Sequence, residues 1–207
     1  MNTTLRYLFR ALITSAVLLL AACGSSSKPA TSAANRSTSG HQSGPGALSA
    51  EATSAATGDI PDTQNFLTFK DSAAGYSIRY PEGWAQTGGG GDVTFKDKNN
   101  VIHVVVAAGG VPTAASVAAD LARLKASTPT LSAGSAQPVQ LKAGPAIKVT
   151  YTTESAPNPV TGKRVELTVD RYVVARAGKR ATLDLGTPVG VDNVDAYRMM
   201  IQSFKWR

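Results

Sequence analysis

The sequence predicts an α+β domain built on an antiparallel sheet. Three observations carry this. Runs between Tyr76 and Gly186 alternate apolar and polar residues with period two, the mark of half-buried strands. Short glycine- and asparagine-containing turns separate most of them, which implies hairpins. Two further segments, 113–126 and 192–203, carry apolar residues at helical spacing.

Taken in order, "YSIRY" (76–80) puts Tyr76, Ile78 and Tyr80 on one face. Pro81 holds Tyr80 extended and ends that strand, Gly83 permits the turn, and Trp84 is placed to cap the core. "GGGG" (88–91) reads as a hairpin loop. In "VIHVVVAA" (101–108), Ile102, Val104 and Val106 oppose Val101, His103 and Val105, so this strand is expected to be covered on both sides. Thr113 to Ala126 is a predicted helix with Thr113 as its cap and Val117, Leu121 and Leu124 as its stripe. "AIKVTYTTE" (146–154) sets Ile147, Val149, Tyr151 and Thr153 against Lys148, Thr150, Thr152 and Glu154. Val165, Leu167 and Val169 share a face in 163–176, and Ala181, Leu183 and Leu185 do so in 180–186. The last helix, 192–203, has Val194, Tyr197 and Ile201 on one stripe, with Asp192 and Asp195 at N-cap and N3 spacing. Phe204 and Trp206 would then bury the end of the chain against the sheet.

The amino end has a different character. Arg6 and Arg10 precede the apolar run Ala11–Leu20, and small residues follow. That is the pattern of a secretory signal peptide over 1–22, too short to span a bilayer core that needs ~20 helical residues. Leu20, Ala21, Ala22 and Cys23 resemble the bacterial lipobox. The resemblance implies that Cys23 receives a diacylglycerol and becomes the new amino terminus, with membrane lipid as its partner. Cys23 is the sole cysteine of the 207-residue chain, so no internal disulfide accounts for it. Two or three acyl chains give stable anchoring.

Residues 23–60 form the lipidated cysteine and a linker of mostly Ser, Ala, Thr, Gly and Pro. Such a stretch buries too little apolar surface to offset ordering entropy and is expected to be disordered, with a reach of ~35 Å. The remaining segment, 61–207, holds all the aromatics beyond Phe9 and is sized for one domain.

Residues suited to catalysis are sparse in this domain. It has one histidine, His103, and no cysteine, which is too few for an ordinary zinc site. No Gly-x-Ser-x-Gly elbow supports a hydrolase, and no Gly-Lys-Ser/Thr follows Gly91. Asp170, Asp184 and Glu166 stand near Lys148, Arg164 and Arg180, which suggests cross-strand charge pairs on an exposed face. From residue 61 onward there are 17 Lys plus Arg and 12 Asp plus Glu, a balance of +5. That suits an acidic partner, a lipid headgroup or a wall polymer, while export excludes nucleic acid as a partner.

"GYSIRYPEGW" (75–84) resembles the opening strand and turn of the PsbP-like fold, and "LDLGTPVGVDNVDAYRMMIQSFKW" (183–206) resembles its closing strand, helix and Ser-Phe-basic-Trp ending. The resemblance covers roughly 66–207. It implies a central antiparallel β-sheet flanked by helices on both faces, an α/β/α sandwich. Members include the extrinsic photosystem II protein, a nuclear-import factor that binds the Ran GTPase, and many bacterial lipoproteins. What they share is binding to other proteins rather than a reaction, and no cofactor is implied. Nothing in this chain resembles the photosystem protein's own amino-terminal region.

The expected function is therefore a membrane-anchored lipoprotein on the extracytoplasmic face, with a non-catalytic domain that binds an envelope protein or polymer. The alternative is a carrier of a small apolar ligand or lipid in a pocket between sheet and helix, for which the Ala- and Val-rich stretch 101–124 would leave room.

Overall fold

The computed structural model describes residues 58–207. The expected signal peptide, Leu20, Ala21, Ala22, Cys23 and nearly all of the expected linker lie outside the described residues. The elements run β1 (Phe66–Asp71), β2 (Tyr76–Pro81), β3 (Ala85–Gly89), β4 (Asp92–Asp97), β5 (Asn100–Ala108), α1 (Ala114–Ser127), β6 (Ser132–Ala133), β7 (Gln137–Leu141), β8 (Gly144–Glu154), β9 (Glu166–Arg176), β10 (Lys179–Pro188), α2 (Val194–Ser203) and β11 (Lys205–Trp206).

Eight strands form one antiparallel sheet along the path β3-β4-β5-β10-β9-β8-β6, with β7 also on β8. Three more form a small antiparallel sheet, β1-β2-β11. The alternation read from the sequence sets the inward faces. Ile102, Val104, Ala181, Leu183 and Leu185 are at most 1% exposed on one face of the large sheet. Ile147, Val149, Tyr151, Leu167 and Val169 are buried on the other.

Those two faces meet different covers. The first is packed by the small sheet and α2 together, through Tyr76, Ile78, Met200, Ile201 and Phe204. Aromatic rings fill this layer: Phe69 meets Phe95 edge-on at 5.4 Å, and Tyr80 stacks on Phe95 at 4.1 Å. The second face is covered by α1 through Val117 and Leu121. Helix α1 stops short of β5, where Val101, His103 and Val105 stay half-buried. The domain is thus dominated by sheet, and the expected α/β/α sandwich is not what forms. One outer layer is half strand because "FLTFKD" pairs with β2 and drives Phe69 into the core.

Local signals match where they depend on few residues. Thr113 caps α1: its side chain accepts from Ser116 N at 3.1 Å, and Ser116 Oγ accepts from Thr113 N at 3.0 Å. Gly90 and Gly91 turn β3 into β4, and Gly88 (φ 77°) near the end of β3 leaves no space for a side chain, since a Cβ there would lie 2.3 Å from Asp92 O. The last helix departs from expectation. It begins at Val194, and Asn193 rather than Asp192 occupies its N-cap position, although Asp192 Oδ1 does accept from Val194 N at 3.2 Å. Asn193 makes no side-chain cap, because its amide is engaged elsewhere.

That engagement moves the domain's lower edge. Asn193 Oδ1 accepts from Ile60 N at 2.8 Å, and its Nδ2 donates to Thr187 Oγ1 at 2.9 Å and Asn100 Oδ1 at 3.1 Å. Asn100 Nδ2 and Asn193 Nδ2 both donate to Gly58 O. Asn100 and Asn193 are 1% and 3% exposed, so each unmade bond here would cost the desolvation of a buried amide. Residues 58–60, read from the sequence as linker, are held by these bonds against α2 and β5.

Candidate functional site

A cleft of about 320 Å³ opens on the first face of the large sheet, beside the amino end of α2. Its floor comes from neighbouring strands. Lys148 on β8 and Tyr172 on β9 are direct cross-strand partners, as are Thr150 and Asp170. Directly paired residues share a face, so all four point the same way. Its wall is the turn Pro188–Asn193 and the first turns of α2, including Tyr197 and Arg198.

The floor is locked by Asp170. One carboxylate oxygen receives Lys148 Nζ at 2.8 Å and the other receives Thr150 Oγ1 at 2.6 Å. Lys148 Nζ also sits 5.4 Å from the centre of the Tyr172 ring, a cation–π contact. Burial pulls the Lys148 pKa down, but the bond and charge of Asp170 pull it further up, so it lies above the ordinary lysine range. Burial and the Asp170 charge raise the Tyr172 phenol. Tyr197 closes the inner end by donating to Gly186 O at 2.5 Å, and burial raises its pKa as well.

Around this floor the rim is apolar. Val189 and Val194 are 55% and 61% exposed, two of the few large aliphatic side chains left in solvent. By helical spacing Val194 belongs on the buried stripe of the helix. The structure turns it outward, and Met200 joins Tyr197 and Ile201 in the core instead. Asp195 likewise pairs with Arg198 at 2.8 Å rather than capping the helix.

The charged strand residues sort differently from expectation. Lys148 and Asp170 do pair across strands. Asp184, however, takes Arg171 rather than Arg180, and the pair is nearly buried. Arg180 reaches across to Asp120 of α1, which also holds Arg123. His103 lies mid-strand on β5 with Nε2 2.9 Å from Asp92 Oδ1. Among the described residues, no three His, Cys, Asp or Glu side chains gather as a metal site. No described helix is long and apolar enough to cross a membrane. The stretch 101–124 lines no part of the cleft.

The cleft itself was missed from sequence. Its floor lies on β8 and β9, from Lys148 to Tyr172, and its wall runs from Pro188 to Arg198, so no local window holds both. The one signal present was Val189-Gly190-Val191, three residues with no strand or helix to bury them.

Residues 64–204 match the family model described as PsbP. No curated protein matches the chain. Among solved structures, the solution structure of cyanobacterial PsbP (CyanoP) from Synechocystis sp. PCC 6803 is similar at 20% identity and a TM-score of 0.46, covering 72% of this chain and 98% of that one. A crystal structure of a protein from Bacteroides thetaiotaomicron VPI-5482 is similar at 15% identity and a TM-score of 0.43, covering 68% of this chain and 48% of that one.

Proposed function

The chain belongs to the PsbP family, and from that premise we propose that it is a non-catalytic binding module held outside the cytoplasm by a lipid on Cys23. Residues 24–57 supply reach from the membrane, and the domain presents its contact surface to an envelope protein or polymer. The observation that carries the binding role is the cleft beside α2. Its ionic groups are spent on one another, with both oxygens of Asp170 occupied, while Val189 and Val194 stand exposed at the rim. Exposed aliphatic side chains beside ionic groups that are already paired favour recognition over proton transfer.

A second reading, a carrier of one small molecule, is favoured by the cleft's volume, which lies at the lower end of ligand pockets. Its lining would select a ligand with polar groups for Lys148, Tyr172 and Arg198 rather than a plain hydrocarbon.

The test is a photo-crosslinker placed at Val194 of the full-length protein in intact cells, with the same group at Val160 as control. Val160 is 90% exposed and does not line the cleft. A product formed at Val194 and absent at Val160 supports the module. Identical products from both sites, or a copurifying small molecule that stabilises the protein, overturn it in favour of non-specific contact or the carrier. Cys23→Ala runs beside it: release from the membrane is expected, and a variant still processed and membrane-held would remove the anchor.

A further inference from the structure

The domain is electrically polarised along its strands. At one end lie the β1–β2, β7–β8 and β9–β10 turns and the carboxyl end of α2. They are joined by bonds from Arg207 N to Gly75 O at 2.8 Å, Lys179 Nζ to Ala74 O at 2.9 Å and Lys142 N to Gln202 Oε1 at 3.2 Å. At the other end lie Gly58, the start of β5 and the amino end of α2, held together through Asn100 and Asn193. Strand β10 runs from the first end to the second over 10 residues, about 30 Å.

The first end is basic. Lys70 and Lys205 are both direct partners of Ser77, so they flank it on the outer face of the small sheet, and Arg79 shares that face two residues along β2. Arg79, Lys142 and Lys205 line a groove of about 630 Å³ beside α2, while Arg176 and Lys179 bracket the β9–β10 turn. All six side chains are exposed, and among the described residues none has an acidic partner. Arg79 lies 5.4 Å from the centre of the Phe66 ring and Lys179 donates to a carbonyl, contacts that hold each cation without neutralising it. Two acids stand at this end. Asp71 is 7% exposed and accepts from Ala74 N, and Asp92 is bonded to His103. Asp195 also lines the groove, but it is bonded to Arg198. A clear positive excess remains.

The second end is acidic around the point where the chain enters at Gly58. Asp59 Oδ1 accepts from Asp192 N at 3.2 Å, and Asp62, Asp192 and Asp195 line one hollow. Glu82 is tied beside them by its backbone bonds to Gln64 and Asn65. In the adjoining β8–β9 connection, Glu154 and Glu166 offset Lys163 and Arg164.

A body with this polarity takes one orientation before an anionic surface. The acidic end is repelled and the basic end attracted, and the attraction fades within a Debye length of ~10 Å, so it acts by contact. On the binding-module reading, the surface at hand is the bilayer that holds Cys23. The linker enters at the acidic end, and its expected reach of ~35 Å matches the length of the strands. The chain can therefore run back past the domain and leave the basic end on the lipid. The cations issue from five strands and a turn rather than along one track. Laterally mobile headgroups can gather under such an array, whereas a linear polymer or a folded acidic protein would have to match it.

We propose that this basic end, with Lys70, Arg79, Lys142, Arg176, Lys179 and Lys205, docks on the headgroups of an anionic lipid bilayer. Docking turns the cleft beside Val189 and Val194 away from the membrane. The inference rests on the binding-module reading for the nearness of the bilayer, and it gives that module its orientation.

The probes are vesicles of phosphatidylcholine with or without about 30 mol% phosphatidylglycerol. The full chain, purified from membranes in neutral detergent, is reconstituted into them. A donor dye is placed on Ser72→Cys in the β1–β2 turn or on Val160→Cys in the β8–β9 connection, one at each end, and an acceptor on the lipid headgroups. Both positions are exposed, and acylation of Cys23 leaves the new cysteine as the sole free thiol. On anionic vesicles, energy transfer from position 72 is expected to exceed that from position 160. The difference should vanish on neutral vesicles and in about 0.5 M salt. Each cation at an anionic surface is worth about fivefold, so Lys70→Gln with Lys142→Gln and Lys205→Gln is expected to cut the ratio of docked to undocked domain roughly 100-fold. Among the described residues these three side chains make no ion pair, so the fold should survive their loss. A control removing the same charge elsewhere, Lys96→Gln with Lys125→Gln and Lys163→Gln, should change the ratio less than about threefold.

Equal transfer from both positions on anionic vesicles, greater transfer from position 160, or equal losses in both triple variants overturns the proposal. So does release of the docked end by polyglutamate or polyphosphate at about a tenth of the anionic lipid charge, which would give the surface to an acidic protein or a polymer. Retention on neutral vesicles reads the anchor separately. A chain that leaves neutral vesicles but sediments with anionic ones supports the docking surface while removing the lipid at Cys23. The Val194 cross-link is independent of both results.

Discussion

Arg171 and Asp184 face each other directly across β9 and β10 and share two hydrogen bonds, Nε to Oδ1 at 2.7 Å and Nη2 to Oδ2 at 2.6 Å. Their side chains are 12% and 11% exposed. The guanidinium also lies 5.5 Å from the centre of the Tyr151 ring. Burial works against the charged Arg171, but Asp184 outweighs it and raises the arginine pKa. Removing one partner leaves the other charge buried alone. Asp184→Ala is expected to lower stability by about 3 kcal/mol, whereas Arg171→Met with Asp184→Leu together should cost far less. Denaturant titration of the two variants checks the difference, and equal losses would contradict the pairing.

Asn193→Ala removes the amide that holds Gly58 and Ile60 and satisfies Thr187 and Asn100. The expected loss is about 2 kcal/mol, the cost of buried groups left without partners. Hydrogen exchange at Ile60 should speed up in the same variant while the β9 amides slow or speed only with global stability. Protection at Ile60 unchanged from the native protein would refute the clamp.

The β9–β10 turn carries its own strain. Ala177 and Gly178 have φ of 51° and 75°, the two left-handed positions of a type I′ turn. Glycine suits that conformation and alanine does not, so Ala177→Asn or Ala177→Gly should relieve about 0.5–1 kcal/mol. A rise in the denaturant midpoint with an unchanged slope is the expected reading.

The domain is expected to lose stability in alkali. Burial is the first cause that raises the phenol pKa of Tyr76, Tyr151, Tyr172 and Tyr197 above the ordinary 10.0. Asp170 raises Lys148 above its ordinary 10.5. A group whose folded pKa is raised contributes stability below its unfolded value and loses it as pH climbs through the folded one. The unfolded chain therefore gives up these protons first, and stability falls from about pH 10 upward. Tyrosinate absorbance should then appear together with loss of near-ultraviolet circular dichroism. Ionisation of most tyrosines well before unfolding would contradict the assignment.

Features that depend on a few neighbouring residues were legible in the chain itself. The alternation in 76–80, 101–108, 146–154 and 180–186 set which side chains point inward. Thr113 and Ser116 lie within one turn, so the cap of α1 is written locally, as is the glycine hairpin before β4. The match at both ends of the domain was also visible as sequence, in "GYSIRYPEGW" and the final strand, helix and Trp206.

Tertiary structure decided the rest, because it joins residues whose separation no periodicity encodes. Asp184 chose Arg171 over Arg180 through the β9–β10 register. Asn193, a fitting N-cap by type, gave its amide to Gly58 and Ile60, 133 to 135 residues earlier. Val194 sits on the helical stripe by spacing, yet α2 starts one residue later than its acidic box suggested and leaves that side chain in water. The cleft under Val194 and the cationic groove beside Arg79 exist only once β2, β8, β9 and α2 are brought together, since side chains form a site by distance in space and not by order along the chain.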